Sequence, residues 1–301
     1  MPISTEKNQR PSRPPRAWSL RVLSGLFRGI GPLAPKPMAR WANWLWRRTT
    51  RYPRSASEQR LLDKAERRQL DTDSGPVAVL RWGEGPAVLL VHGWNGRGTQ
   101  MGSFINPLLR AGYRVVAVDA PGHGDSPGRQ CSVLAAAAAL QAVAREMGPF
   151  HAAITHSFGC ACLLVAVSRG LELRRAVCIS PPNRLEWLAE RFADALTLPP
   201  SVRKAMLAQL EARYGADIWE QVGADTLAAK LPFPGLIIHD RQDSQVPWQL
   251  AAEIAAAWPG AELLLTDGLG HSRILYHRDT IRRAVAFVTA TVVDDASTKG
   301  I

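Results

Sequence analysis

Short apolar runs alternate with helical segments along the middle of the chain, and this alternation is the strongest constraint on its fold. The runs are Val77–Trp82, Pro86–Val91, Val115–Val118, His151–Ile154, Ala176–Ile179, Pro234–His239 and Ala261–Thr266. Most are apolar throughout rather than alternating with polar residues, which is typical of strands buried on both faces of a sheet. Segments such as Val133–Met147 and Phe158–Arg169 have helical composition. The sequence therefore predicts an α/β fold with a mostly parallel sheet flanked by helices.

Composition and periodicity divide the chain into five segments. We expect a basic N-terminal arm, a first part of the α/β core, a helical insertion, a second part of the core and a C-terminal tail, over residues 1–70, 71–182, 183–230, 231–292 and 293–301. The insertion keeps helical periodicity without an apolar run that would indicate a strand. Two to four helices at this place predict a cap or lid, and the alternative is a helical excursion without function.

The positive charge of the chain lies in the arm. The formal net charge is +11, and residues 1–70 hold 16 Lys or Arg against 4 Asp or Glu, whereas the remainder holds 21 against 22. The first 16 residues are polar and proline-rich and predict disorder. Helical spacing predicts helices over Ala17–Ile30 and Met38–Arg48, and a third helix over Ser57–Arg68.

Two interpretations of this arm compete. In the first, its helices pack against the domain and the arginine stems cover apolar surface. In the second, the two tryptophan-containing basic helices lie in the plane of an anionic membrane surface. We favour packing, because helices with one apolar stripe usually bury it in the protein. The sequence has no recognisable nucleic-acid-binding fold and no stretch of about 18 apolar residues that could span a membrane.

A serine occupies the sharp turn that the sequence predicts between a strand and a helix. Thr155–Gly159 follows the apolar run His151–Ile154 and opens the Ala- and Leu-rich segment that continues to Gly170. On such a turn the hydroxyl of Ser157 is exposed at the carboxyl edge of the sheet, and the amide of Phe158 lies at a helix N-terminus. Thr155 stands where a G-x-S-x-G turn has glycine, so its branched side chain needs space beside the neighbouring strand.

Candidate partners of Ser157 follow two later strands. Asp240 and Asp243 come after the run Pro234–His239, and His271 follows Ala261–Thr266 in a glycine-flanked loop. The carboxyl ends of parallel strands meet at one edge of a sheet, where distant residues can come together. A serine, an acid and a histidine in this order along the chain suit nucleophilic catalysis, because a neutral hydroxyl needs a base and the base needs an orienting group.

These motifs together resemble the α/β-hydrolase family over residues 75 to 292. The matching pieces are His92–Trp94, Asp119–Ser126, the turn Thr155–Gly159, the loop from Asp243 to Val246–Pro247, and Gly270–His271. The resemblance implies an eight-stranded, mostly parallel sheet with helices on both faces and a variable cap inserted late in the sheet. It also implies Ser157 as nucleophile, His271 as base and Asp243 as the orienting acid.

Several roles remain open on the residues alone. Asp240 is an alternative acid, and we favour Asp243 because the loop past the strand needs a few residues to turn toward the histidine. The backbone N–H groups of Trp94 and Phe158 are the expected oxyanion donors. Four aromatic side chains are the expected substrate pocket: Trp94, Phe158, Trp187 and Trp248. His92 is expected to shape the oxyanion loop, His156 to be buried beside the serine turn and His123 to belong to a glycine-rich turn. The other histidines, His151, His239 and His277, are expected to be structural or exposed.

The sequence predicts a serine esterase that cleaves a carboxylic ester of an apolar acyl group through an acyl-enzyme. Alternatives are a thioesterase, a lipid hydrolase at a membrane surface, and a binding protein without activity on the hydrolase fold. We predict no cofactor, no metal and no nucleic acid partner, and a small-molecule ester as substrate. Cys131, Cys160, Cys162 and Cys178 lack metal-binding or redox spacing and predict buried thiols. We expect a cytoplasmic protein, with contact at the inner membrane surface as an option; the oligomeric state is open.

Overall fold

A computed structural model describes residues 17–290 of the chain. The predicted disorder of the first 16 residues, and the tail over 293–301, lie outside the described residues. Among the described residues, the helices that precede the sheet are α1, α2 and α3, over Ala17–Ile30, Pro35–Trp46 and Ala56–Asp63. The strands β1 to β8 are Glu66–Leu70, Val77–Trp82, Ala87–Val91, Arg114–Val118, Phe150–His156, Arg175–Ile179, Gly235–Asp240 and Glu262–Thr266.

Between residues 17 and 290, ten further helices connect or follow the strands. They are α4 to α13, over Gly102–Arg110, Val133–Met147, Phe158–Ser168, Leu185–Ala195, Pro200–Tyr214, Ile218–Gln221, Ala224–Ala228, Trp248–Ala257, Gly270–Arg273 and Arg278–Thr289. Short 3-10 helices lie at Gly98–Met101 and Ile274–Tyr276. In the part of the chain that the structure describes, no helix combines the length and the apolar character that crossing a membrane requires.

The eight strands form one sheet in the order β1-β2-β4-β3-β5-β6-β7-β8. β2 pairs antiparallel with β1 and β4, and every pair from β4 onward is parallel. The prediction of an eight-stranded, mostly parallel sheet flanked by helices is thus confirmed. Because β3, β5, β7 and β8 run in the same direction, the loops that follow them open at one edge of the sheet.

The third predicted helix is partly wrong. We expected it to continue from Ser57 to Arg68, but α3 ends at Asp63 and Glu66–Leu70 forms strand β1. Ser55 caps α3 by accepting a hydrogen bond from the Glu58 amide, while Glu58 bonds back to the Ser55 amide, which fixes the beginning of the helix. β1 is an edge strand with four exposed residues, so it has no apolar pattern by which to predict it.

Alternate residues of the central strands build a core on each face of the sheet. On one face, Leu90, Ile154 and Val177 share a buried cluster with Phe104 of α4 and Val288 of α13. The helices α5, α6 and α11 cover the strands from the other face. Burial on both faces explains why the strands are apolar throughout, and it holds their carboxyl ends rigidly.

The structure divides into two compact units, each described by itself. Within the described residues, the first unit comprises 17–46 and 189–214, and the second comprises 47–188 and 215–290. The first unit joins helices of the N-terminal arm to helices of the insertion: α2 packs along α8, and Asn43 Nδ2 donates to Met206 O at 3.1 Å and to Gln209 Oε1 at 3.1 Å. The sheet and its loops belong to the second unit. The insertion contains four helices, α7 to α10, and their service as a lid stays a prediction.

Candidate active site

Ser157 lies on a strained turn between β5 and α6. Its backbone has φ 50° and ψ −119°, a region that residues with a side chain rarely adopt. The turn is held from both sides, because the Ser157 amide donates to Ile179 O at 2.8 Å and Ser157 O accepts from the Cys160 amide at 2.8 Å. Such strain persists only where the surroundings determine the conformation, and it clusters at functional sites.

Thr155 finds its space between β5 and β6. Its side chain is completely buried, and its hydroxyl donates to Val177 O at 3.0 Å. The sulfur atoms of Cys160 and Cys178 lie 3.1 Å and 3.6 Å from the same hydroxyl. The small Cys160 and Cys178 side chains thus accompany the larger residue at the position where the family motif has glycine.

Two glycines bring the loop after β3 against the serine turn. A Cβ on Gly159 would lie 2.6 Å from His92 O and 2.7 Å from Val91 O, so any side chain there would collide with backbone. A Cβ on Gly93 would lie 3.3 Å from Ser157 Cβ and 2.7 Å from His156 Nδ1. These close approaches bring the backbone at Gly93 against the turn that carries Ser157.

Asp243 and His271 form a direct pair in the loops after β7 and β8. His271 Nδ1 lies 2.7 Å from Asp243 Oδ2, and the other carboxylate oxygen, Oδ1, accepts from the amides of Gln245 at 2.8 Å and Val246 at 3.0 Å. Burial opposes ionisation of the carboxyl, but hydrogen bonds from His239 and His271 outweigh it and lower the pKa of Asp243. An ionised carboxylate only accepts, so His271 donates through Nδ1, and in the neutral imidazole this tautomer has its lone pair on Nε2.

Asp240, the alternative acid, forms its hydrogen bonds with residues other than His271. Its Oδ2 accepts from the Thr266 hydroxyl at 2.8 Å and from the Leu269 amide at 2.9 Å, and its Oδ1 accepts from the Gln242 amide at 3.0 Å. The side chain therefore ties the end of β7 to the loop after β8 that carries His271. The structure thus places Asp243 in contact with His271. Asp240 lies instead where the loops after β7 and β8 leave their strands.

His239 is a partner of Asp243 that the sequence did not reveal. We expected this residue to be structural or exposed, and it is completely buried, with Nε2 at 3.0 Å from Val246 O and at 3.3 Å from Asp243 Oδ2. A carbonyl oxygen only accepts, so Nε2 carries the proton, and this N–H lies near the same carboxylate oxygen that His271 contacts. The position of His239 at i−4 from Asp243 was the one available signal.

His156 links the serine turn to His271. Its Nε2 donates to His271 O at 2.9 Å, and the two imidazole rings lie 4.8 Å apart between centroids. Burial lowers the pKa of His156 to about 3, so the ring is neutral at physiological pH. Ser157 Oγ itself forms no hydrogen bond with any residue between 17 and 290. Such bonds are often long in enzymes without substrate and tighten in the complex.

Trp94 and Phe158 pack beside Ser157. Their rings meet edge to face with centroids 5.0 Å apart, and His123 contacts Trp94 at 5.1 Å. The Phe158 amide belongs to the first residue of α6, where a helix N–H has no intrahelical acceptor. Within the described residues the Trp94 amide also has no acceptor. Both amides are therefore free to donate, and their role as oxyanion donors stays a prediction.

Two neutral histidines support the loop that carries Trp94. His92 Nδ1 donates to Gly93 O at 2.7 Å while its Nε2 accepts from the Ala120 amide at 3.1 Å. Burial lowers the pKa of His92 to about 4 and the pKa of His123 to about 3. His92 thus fixes the conformation of the loop through both ring nitrogens, as expected from its place next to Gly93.

The other two predicted pocket residues lie on separate helices. Trp248 is the first residue of α11, with the Arg241 guanidinium 6.0 Å from its ring centroid, and Trp187 lies on α7. Their part in substrate binding stays a prediction. All four cysteines are unpaired and buried, as expected. Among residues 17–290 no group of three or more His, Cys, Asp or Glu side chains has a geometry that would hold a metal ion.

The fold and the site define an α/β protein with a serine on a strand-to-helix turn and a histidine–aspartate pair that is joined to this turn through His156. Residues 88–284 match the alpha/beta hydrolase family. The chain belongs to this family.

Known proteins extend the comparison. The chain is 29% identical over 246 residues to the pimeloyl-[acyl-carrier protein] methyl ester esterase of Xanthomonas campestris pv. campestris, which covers 69% of this chain and 97% of that protein. It is 25% identical over 251 residues to the enzyme of the same name from Neisseria meningitidis serogroup C, covering 71% and 94%. The structure of a membrane phospholipase A, a bacterial virulence factor, aligns with a TM-score of 0.58 at 19% identity, covering 90% of this chain and 96% of that chain. This last likeness is one of fold alone.

Proposed function

We propose that the protein is a serine esterase that cleaves a carboxylic ester of an apolar acyl group through an acyl-enzyme intermediate. The hydrogen bond of 2.7 Å between His271 and Asp243, beside the strained turn at Ser157, is the observation that carries the proposal. It has the three groups that an activated serine needs: a nucleophile, a base with its lone pair free, and an ionised group that fixes the tautomer of the base. The family and the esterases among its relatives support ester hydrolysis.

In the first half-reaction His271 Nε2 takes the proton of Ser157 Oγ while the oxygen attacks the ester carbonyl carbon. The carbonyl oxygen becomes an oxyanion that the amides of Trp94 and Phe158 bind, and losing one such donor costs about 3–4 kcal/mol of transition-state stabilisation. When the carbon–oxygen bond to the alcohol breaks, His271 returns the proton to the departing alkoxide. Asp243 stays ionised throughout and stabilises the imidazolium.

In the second half-reaction water replaces the alcohol. His271 takes a proton from the water as its oxygen attacks the acyl carbon, the same two amides bind the oxyanion, and the bond to Ser157 Oγ breaks. The proton on His271 returns to the serine, and the carboxylic acid leaves. The packed rings of Trp94 and Phe158 next to the reacting atoms favour an apolar acyl group over a charged one.

A panel of p-nitrophenyl esters, methyl esters and acyl thioesters with graded chain length tests the proposal. The wild type should turn over at least one ester class, and Ser157→Ala should lose activity by a factor of about 10³ or more. The methyl ester arm is included because the relatives are named methyl ester esterases. Activity confined to thioesters would select the thioesterase alternative, and activity confined to lipid vesicles the lipid hydrolase.

A matched pair of variants tests the acid. Asp243→Asn keeps the shape of the side chain but removes the negative charge that holds His271 in the required tautomer. We therefore expect kcat to fall by about 10³–10⁴. Asp240→Asn, past the same strand, retains an acceptor for the His271 loop and should lose less than about tenfold. Equal losses for the two variants, or an active Asp243→Asn enzyme, would overturn the assignment of Asp243.

The remaining alternative is a binding protein that retains the hydrolase fold without activity. Competent side chains at all three proposed catalytic positions argue against it, because a site without selection for catalysis has no reason to keep the His271–Asp243 bond. We also propose a cytoplasmic location, for which four unpaired cysteines are ordinary usage. Thermal stabilisation by esters with no turnover would select the binding protein.

A further inference from the structure

The outer face of α1 carries an apolar stripe that the protein leaves in solvent. Val22, Leu26 and Ile30 are 51%, 41% and 47% exposed, and Leu33, just past the end of the helix, is 86% exposed. They recur every three or four residues and so lie on one side of the helix. The opposite side supplies the packing: Phe27 is fully buried and stacks on Trp41 of α2 with ring centroids 4.9 Å apart. The exposed stripe is therefore separate from the buried side of the helix, where Phe27 packs on α2.

The chain segment that carries this stripe has charges of a single sign. From Ala17 to Arg48 the chain has six Lys or Arg and no Asp or Glu. Four of these, Arg21, Arg28, Lys36 and Arg40, are exposed on α1, α2 or the turn between them. An apolar face whose own chain segment supplies cations and no Asp or Glu complements a surface that is apolar inside and anionic outside.

The same unit offers further cations at the C-terminal end of α1. A Cβ on Gly31 would lie 2.9 Å from Val202 and 3.0 Å from Pro199, so the end of α1 packs against the start of α8. Beside it is a shallow cavity of about 410 Å³ lined by Leu198, Pro200, Arg203, Lys204 and Leu207. Arg203 is paired with Asp194, whereas Lys204 is an exposed cation that lines this cavity.

We propose that the outer face of α1 binds an anionic lipid surface, with α1 lying in the plane of the membrane and Leu26 and Ile30 in the acyl region. A second copy of the chain fits this face poorly, because two such faces would bring like charges together. A nucleic acid would leave the apolar stripe in water. Packing of the arm and membrane contact are compatible, since they use different faces: α2 packs on α8, and α1 presents its stripe outward.

Vesicle co-sedimentation of the full chain tests the proposal. We expect binding to phosphatidylcholine vesicles that contain about one-third phosphatidylglycerol, and much weaker binding to phosphatidylcholine alone. Raising NaCl from about 50 to about 500 mM should weaken binding, because salt screens the attraction between exposed cations and lipid phosphates.

Variants on the face decide whether it is the binding surface. Leu26→Ser combined with Ile30→Ser removes apolar contact and should weaken binding by about tenfold or more. Arg21→Gln and Arg28→Gln should each weaken it by about fivefold. The matched controls, Leu263→Ser and Arg278→Gln, alter an exposed apolar residue and an exposed cation of the other unit and should leave binding unchanged. Unchanged circular dichroism and unchanged hydrolysis of a soluble ester show that each variant is folded.

Three results would overturn the proposal. The first is no binding of the wild type to anionic vesicles at either salt concentration. The second is binding that the α1 variants and the controls reduce equally, which would move the contact to another surface. The third is self-association by light scattering that Leu26→Ser with Ile30→Ser abolishes while vesicle binding is absent, which would make a second copy the occupant. None of these outcomes depends on whether Ser157 is catalytic.

Discussion

At the scale of single residues, the replacement of glycine by Thr155 is the departure from the family motif that the structure explains. The hydroxyl, completely buried between β5 and β6, bonds to Val177 O and lies against two cysteine sulfurs. The turn at Ser157 therefore has a larger residue before it and smaller sulfur-containing neighbours around it. The site does not need glycine at this position, because the neighbouring side chains leave enough room between β5 and β6 for the threonine side chain.

This interpretation predicts that restoring the family's glycine is harmful. Thr155→Gly should lower the free energy of unfolding by about 2 kcal/mol or more, because it deletes a buried hydrogen bond, leaves a cavity and adds flexibility in the unfolded chain. Chemical denaturation at neutral pH measures it. Thr155→Ser, which keeps the hydroxyl, is the matched control and should lose less. A glycine variant as stable as the wild type would contradict this account of the residue.

His156 and His239 show what residue-level reasoning from sequence cannot reach. The first bonds to His271 O, 115 positions later, and the second lies against Asp243 inside the loop after β7. Ser157, Asp243 and His271 could be proposed from the sequence because each follows a strand, in the order that the family resemblance implies. Their supporting histidines were not, because a buried histidine has no sequence signature until the loops that enclose it are placed.

At the scale of elements, the sequence predicted the strands buried on two faces and missed the exposed one. Strands such as β3 and β6 are continuous apolar runs, since helices cover both of their faces. Strand β1 has the sequence Glu-Arg-Arg-Gln-Leu and is held by its antiparallel ladder with β2 rather than by burial. Its charged residues continue the helical spacing of α3, so local pattern favoured a longer helix and tertiary pairing decided otherwise.

The pairing of α2 with α8 is a second feature that only the structure reveals. Helical periodicity predicted each helix, but not that the arm joins the insertion to form one compact unit. Asn43, buried on α2, donates to Met206 O and Gln209 Oε1, while Gln209 Nε2 donates to Lys36 O at 3.0 Å. These polar bonds fix the register of two helices that are 163 residues apart in the chain.

Asn43→Ala should therefore destabilise this unit. Removing the amide leaves the buried Met206 carbonyl without its donor, and the expected loss is about 1–3 kcal/mol in the free energy of unfolding. Thermal unfolding followed by tryptophan fluorescence reports it, because Trp41 lies in the same helix. Arg40→Ala, exposed on α2, is the control and should change stability by less than about 0.5 kcal/mol. Equal effects of the two substitutions would show that Asn43 does not fix the helix pair.

At the scale of the whole molecule, three buried neutral histidines make stability depend on pH. Burial lowers the pKa of His92 to about 4, and of His123 and His156 to about 3, whereas in the unfolded chain each has a pKa of about 6.5. Below a pH of about 6.5 these three histidines bind protons in the unfolded chain but stay neutral in the folded protein. The contribution of the three histidines to the free energy of unfolding is thus fully present above that pH. It is lost as the pH falls toward their folded-state pKa values.

The expected result is a steep loss of stability on mild acidification. Once the pH is well below its pKa in the unfolded chain, each histidine lowers the free energy of unfolding by up to about 1.4 kcal/mol per pH unit. The three together give a slope of up to about 4 kcal/mol per pH unit. Urea unfolding at pH values of about 7, 6 and 5 measures the slope. His123→Asn should reduce it by about a third, and His277→Asn, on a half-buried residue, is the comparison variant. Stability that is flat from about pH 7 to 5 would contradict burial of these rings in neutral form.

Reaction of the folded protein with a fluorophosphonate probe, mapped by mass spectrometry, tests the central claim most directly. We predict a single adduct on Ser157 Oγ, absent in Ser157→Ala and formed far more slowly in Asp243→Asn, because only a serine with an oriented base beside it attacks the phosphorus at a useful rate. A folded wild-type protein that forms no adduct, or that carries the label on a different serine, would contradict the claim that Ser157, His271 and Asp243 act together as a catalyst.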